Sequence, residues 1–178
     1  HAGDVEVIDI GIPRDGNPAR RWIGLIGEGI LSSYPRRGQD STKFASGHVL
    51  VAGGARGLTG APSLSSLAAM RAGAGYVTVC VPGSLNDIFE VKLTEVMTAP
   101  LPDADGAHSA PGADEVVDRA EQRGGALVLG PGLGRTDGAG AFARAVAARA
   151  DVALVLDADG LNAHAGALES LRDRAAPT

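Results

Sequence analysis

Three short stretches of this sequence carry residue types able to hold a ligand: GGARGLTGA at 53–61, GPGLG at 130–134 and VLDADGLN at 155–162. In the first, Gly53, Gly54, Gly57 and Gly60 lead into a helix start, where free N–H groups favour an anion or a polar ligand. The stretch has neither the GK[ST] ending of a Walker loop nor a G-x-G-x-x-G fingerprint, and a tight strand-to-helix turn uses the same glycines. In GPGLG, Pro131 fixes one dihedral while Gly132 and Gly134 remove side chains, leaving a rigid backbone wall for a flat ring, or a plain turn. In the third stretch, Asp157 and Asp159 stand at a strand end with Asn162 just beyond. Such carboxylates orient a magnesium ion, a hydroxyl or a backbone turn, and Asp and Asn also cap helices; Asp159 reads as the cap and Asp157 as the site residue. Lys43 could reach a phosphate as a point charge, a solvated lysine being the plainer reading.

The elements that must position these residues alternate along the chain. HVLVAG (48–53), YVTVCV (76–81), ALVLG (126–130) and VALVLD (152–157) are short apolar runs suited to strands buried on both faces, and EVMTAPL is a weaker one. Between them, a helix follows Pro62, with Leu64, Leu67 and Ala68 at helical spacing; GSLNDIFEVKL, ADEVVDRAEQRG and GAFARAVAARA read as further helices, and LNAHAGALESLRDR as the last. PDADGAHSAPG reads as a polar loop. Strands alternating with helices mean βαβ units, so the fold class is α/β, a mostly parallel central sheet with helices on both faces. Parallel strands present their carboxyl ends on one edge, where the three stretches converge.

Composition narrows the partners. The chain has 178 residues, 44% of them apolar and only 3% aromatic, with a net charge of −5. That balance disfavours a base-stacking surface and gives no footprint for nucleic acid or an anionic membrane. The single Cys80, inside an apolar run, reads as a buried thiol, and His48, opening a strand, as structural. The scattered histidines make no zinc pattern, and no G-x-S-x-G elbow is present. With no signal-peptide pattern and no membrane-length apolar run, the sequence reads as cytoplasmic.

HAGDVEVIDIGIP, with a strand-like alternation, reads as the tail of something upstream. A Pro- and Arg-containing stretch then reads as a linker around WIGLIGEGIL. No closing strand follows the fourth run, so a continuation past Thr178 is expected. The open sheet edge and Ala-rich helices point to a homo-oligomer.

Taken in order, GHVLVAGGARGLTGA, AAMRAGAGYVTV, LTEVM, ALVLGPGLG and VLDADGLN resemble the NAD(P)H-hydrate dehydratase family of the ribokinase-like superfold, over roughly 35–178. GDVEVIDIGIP resembles the end of the epimerase domain that precedes the dehydratase in bifunctional repair proteins. The resemblance divides the chain into an epimerase-like tail (1–20), a linker (21–40) and the N-terminal portion of a dehydratase domain (41–178), with the ribokinase-like sheet incomplete at its C-terminal side. It implies a carbon–oxygen lyase that restores NAD(P)H from (S)-NAD(P)HX: the C6 hydroxyl is phosphorylated at the expense of ADP or ATP, with Mg2+ shielding the phosphates, and phosphate is then eliminated. By resemblance, Ala61, Gly132, Leu133 and Gly134 contact the hydrated nicotinamide nucleotide, and Asp157 and Asn162 shape the same pocket. Where the family commonly has Ser-His-Lys-Gly, this chain has Ser41, Thr42, Lys43 and Phe44. The family's T-P-H-x-G-E and G-x-G-D stretches, the latter carrying the catalytic aspartate, are not among the 178 residues, so no catalytic residue is assigned. The rival readings are a kinase of a small vitamin precursor on the same superfold and a non-catalytic nucleotide-binding module.

Overall fold

The computed structural model describes residues 27–34, 38–123 and 125–178. It groups the chain into two units, His1–Arg37 and Gly38–Thr178. In the first, the described part is a 3-10 turn, Glu28–Ser33; the expected epimerase-like tail (1–20) and the linker residues 21–26 and 35–37 lie outside the described residues.

The second unit is built on a five-stranded sheet. Its strands are β1 (His48–Ala52), β2 (Tyr76–Pro82), β3 (Met97–Leu101), β6 (Ala126–Leu129) and β7 (Ala153–Leu156), in the order β3-β2-β1-β6-β7. Every pairing in it is parallel. The helices are α1 (Gly60–Arg71), α2 (Asn86–Lys92), α3 (Gly112–Arg123), α4 (Asp137–Arg149) and the single turn α5 (Asp159–Asn162).

Strand periodicity of two sorts the side chains onto two faces. Leu50, Ala52, Cys80, Ala99, Leu127 and Leu129 pack against Val116 and Ala120 of α3 and Phe142 and Val146 of α4. On the other face Val51, Val77, Val79 and Val81 meet Phe89 of α2, with Leu67 and Met70 of α1 packed against the same cluster. Both faces are therefore covered, which is why the strands read as unbroken apolar runs. Pro100 lies in β3, an edge strand, where its missing N–H leaves no ladder bond unmade.

Three local expectations change. The face α1 buries is Pro62, Ser63 and Ser66 rather than Leu64, which is 70% exposed. The two serine hydroxyls donate back to the Thr59 and Pro62 carbonyls, so small polar side chains sit satisfied against the sheet. The polar loop PDADGAHSAPG contains an antiparallel hairpin, β4 (Asp103–Ala104) and β5 (Ala107–His108). Its turn is Asp105-Gly106, both at positive φ, the signature of a tight two-residue hairpin. The last expected helix is only α5 followed by turns and a 3-10 segment, Leu168–Leu171, because Gly166 adopts φ +76° and breaks the helical backbone. No helix among the described residues is long and apolar enough to cross a membrane.

Candidate functional site

The strand order reverses between β1 and β6: the chain leaves β1 toward β2 on one side and β6 toward β7 on the other. Loops diverging from such a point leave a crevice at the carboxyl ends of the strands, where open α/β sheets bind ligands. The 53–59 and 130–136 loops occupy it, with the turn after β7 beside them.

These loops are tied backbone to backbone. The Gly54 N–H donates to the Pro131 carbonyl at 3.0 Å, Gly130 to Ala52 at 3.0 Å, and Asp157 to Leu129 at 3.0 Å. At Gly53 a Cβ would collide with the Pro131 carbonyl oxygen. At Gly130, which has φ +118°, it would collide with the Asp157 carbonyl. Much of the glycine content therefore serves clearance between loops.

A cavity of about 460 Å³ opens beside the second and third loops, with Gly134, Arg135, Asp137, Arg144, Asp159 and Asn162 in its wall. Asp159 organises that wall. Its Oδ2 accepts the Gly134 N–H at 3.0 Å, and its Oδ1 accepts from Arg135 Nε at 3.2 Å and Asn162 Nδ2 at 3.1 Å. Burial pushes the Asp159 carboxyl up, but the hydrogen bonds from Asn162, Arg135 and Gly134 outweigh it and hold the group below the usual carboxylate range. Thr136 caps α4 by accepting the Ala139 N–H at 3.1 Å. The start of α1 has no side-chain cap, since the Thr59 hydroxyl instead accepts from Lys92 Nζ at 2.6 Å.

Of the residues singled out in the sequence, Gly134 and Asn162 lie together in the cavity wall. Gly132 faces the first loop, where a Cβ would lie 2.5 Å from the Leu58 carbonyl oxygen. The Leu133 side chain is fully buried in the core, leaving only its backbone to face a ligand. Ala61 is the exposed second residue of α1, and Asp157 is exposed at the end of β7 without being in that wall. Lys43 is not brought to this edge. It lines a separate hollow with Tyr76 and Met97, the first residues of β2 and β3, at the amino ends of the strands. Arg135, Asp137, Arg144 and Asp159 are charged wall residues that local spacing did not single out as ligand-side groups. Asp159 binds the neighbouring loop rather than capping its own helix, whose N-cap position is Ala158 at φ +43°.

The β4–β5 hairpin braces the first loop. Arg56 N–H donates to the Gly106 carbonyl at 2.8 Å, and Asp103 accepts from the Ser84 N–H, the Ser84 hydroxyl and the Gly106 N–H. No group of three or more His, Cys, Asp or Glu side chains able to hold a metal ion stands together among the described residues. Cys80 is fully buried, which pushes its thiol up to about 12. His48 is buried with Nε2 3.1 Å from the Thr78 hydroxyl, consistent with a structural role.

The family model for NAD(P)H-hydrate dehydratase matches residues 49–178, which include all three loops. This chain belongs to the NAD(P)H-hydrate dehydratase family. Among its dehydratase-family relatives, the bifunctional NAD(P)H-hydrate repair enzyme Nnr of Salinibacter ruber is 39% identical over 179 residues, covering 97% of this chain and 33% of that protein. The Nnr of Moorella thermoacetica is 39% identical over 164 residues, covering 90% of this chain and 31% of that protein. The chain thus spans about a third of the length of these relatives. A ribokinase-like superfamily protein from Enterococcus faecalis superposes with a TM-score of 0.65 at 24% identity, covering 79% of this chain and 47% of that one. That likeness establishes the ribokinase-like α/β fold of this dehydratase-family chain.

Proposed function

We propose that this chain supplies the substrate side of an enzyme that removes water from (S)-NAD(P)HX and restores NAD(P)H. The observation that carries the reading is the cavity beside the loops that follow β6 and β7, at the carboxyl edge of the sheet, in a chain whose residues 49–178 match the dehydratase family. The hydrated nicotinamide lies against the 130–134 backbone. Asn162 and Arg135 offer polar contacts, and the uncapped start of α1 at Gly60 and Ala61 offers N–H groups. Gly132, Leu133, Gly134 and Asp157 complete the substrate side.

ADP or ATP is the phosphoryl donor, with Mg2+ accompanying its phosphates. The C6 hydroxyl of the substrate takes the phosphoryl group, and loss of phosphate from C6 together with a proton from C5 restores the C5–C6 double bond of the ring. Residues 1–20 are read as the tail of an epimerase-like domain, 21–40 as a linker and 41–178 as the N-terminal portion of the dehydratase domain. The 97% coverage by a bifunctional relative supports that division. The protein works in the cytoplasm and self-associates; Val155, 56% exposed on the edge strand β7, supports the latter, and light scattering on the protein in solution checks it.

The test is titration of the 178-residue chain with NADHX, following nicotinamide fluorescence. Saturable binding is expected, and its absence overturns the reading. With ADP and magnesium added, the near-ultraviolet band of reduced nicotinamide is expected to grow only when the G-x-G-D segment is supplied. Robust turnover by these residues alone overturns the division of labour, and a stable phosphorylated product favours a small-molecule kinase.

A further inference from the structure

We propose that Asp159 is the positioning residue of the substrate wall, locking the 130–136 loop onto α5 and fixing the direction in which Asn162 faces the cavity. The inference rests on the substrate reading above and adds a residue and a hydrogen-bond polarity to it. Two carboxylate oxygens collect donors from three sources: the Gly134 backbone 25 residues away, the Arg135 guanidinium and the Asn162 amide. A carboxylate only accepts, so all three donors are satisfied at once. An asparagine at 159 would turn its own NH2 group either onto the Gly134 N–H or onto Arg135 and Asn162, placing donor against donor.

Two consequences reach the cavity. The Arg135 side chain, 78% exposed, is held across the wall by a carboxylate that is only 15% exposed. One Asn162 Nδ2–H is given to Asp159, which fixes the orientation of the amide and leaves its Oδ1 as an acceptor for a ligand. The wall therefore presents an oriented amide at α5 whose oxygen can accept from a ligand donor such as a ribose hydroxyl or a carboxamide.

The experiment compares the unmodified 178-residue chain with Asp159→Asn and Asn162→Ala in amide exchange, NADHX affinity and melting temperature. In Asp159→Asn the Gly134 amide is expected to exchange about tenfold faster, and NADHX to bind about tenfold more weakly, with amides in β1 and β6 unchanged. In Asn162→Ala affinity is expected to fall while the Gly134 amide stays protected, a split that a general loss of packing does not produce. Unchanged Gly134 exchange together with unchanged affinity in Asp159→Asn overturns the inference. Should that variant not fold, unchanged affinity in Asn162→Ala overturns it. Failure of the unmodified chain to bind NADHX overturns the substrate reading, while the exchange measurement still separates the clamp from that failure.

Discussion

His108 Nε2 lies 2.9 Å from the Gly53 carbonyl oxygen, joining the hairpin to the first glycine loop across 55 positions of sequence. A carbonyl only accepts, so Nε2 carries the hydrogen and the ring is neutral with Nδ1 bare. The ring stacks on Phe142 at a centroid distance of 4.5 Å. Desolvation lowers the His108 pKa to about 4, against smaller raising effects from the Gly53 bond and Asp103.

From this follows a pH dependence with a definite sign. The unfolded chain, with an ordinary histidine near 6.5, binds more protons than the folded one between about 4 and 6.5. Stability is therefore full above that window and falls as pH drops through it, by roughly 3 kcal/mol at most from this residue. His48, also lowered to about 4 by burial and by Arg123, acts in the same direction. Urea unfolding midpoints across the window check this. His108→Gln keeps a donor for Gly53 and removes the titration, so its slope is expected to be shallower; an unaltered slope would contradict the assignment.

The glycines of the first loop are expected to divide by clearance. Gly53→Ala forces a methyl onto the Pro131 carbonyl and is expected to cost at least about 2 kcal/mol. Gly60→Ala, in the first turn of α1 with nothing within 4 Å of the new Cβ, is expected to stabilise by up to about 1 kcal/mol. Thermal unfolding of the two variants under one condition separates them.

Removing the Asp103 carboxylate deprives Ser84 and Gly106 of their acceptor. Asp103→Ala is expected to cost about 1 kcal/mol globally. The local effect is larger: limited proteolysis should cut within 102–109 in the variant and leave the unmodified chain intact there.

Cys80 should be silent toward thiol reagents in the folded protein, being fully buried with its thiol pushed up to about 12. Labelling is expected only on global unfolding, so its rate under native conditions reports the opening of the central sheet. Rapid labelling of the native protein would refute this placement.

The sheet was legible because strands covered on both faces leave continuous apolar runs, and Val51, Val79 and Leu127 are all buried in such runs. The hairpin was hidden by its polar composition, although Asp105-Gly106 is the one local signal that would have revealed it. The final helix was over-read because its Ala-rich composition favours helix, while a single glycine at positive φ decides against it. In the site, the loops could be placed from topology, but the local pattern made Asp159 a helix cap and gave no sign that it binds the neighbouring loop. What decides its role is the turn at Ala158 and a contact 25 residues distant. Lys43 precedes a parallel strand and so lies at the amino edge, away from the loops that follow the strands.

The contact of Gly53 with the backbone at Pro131, and of Gly130 with that at Asp157, makes the rim of the sheet one mechanical body. In a saturation scan of this rim, intolerance at these two glycines would report steric clearance between neighbouring loops, and true ligand contacts would stand out by tolerating Ala in folding while failing in binding. A side chain added at either glycine would press on the backbone of the neighbouring loop instead of entering open space.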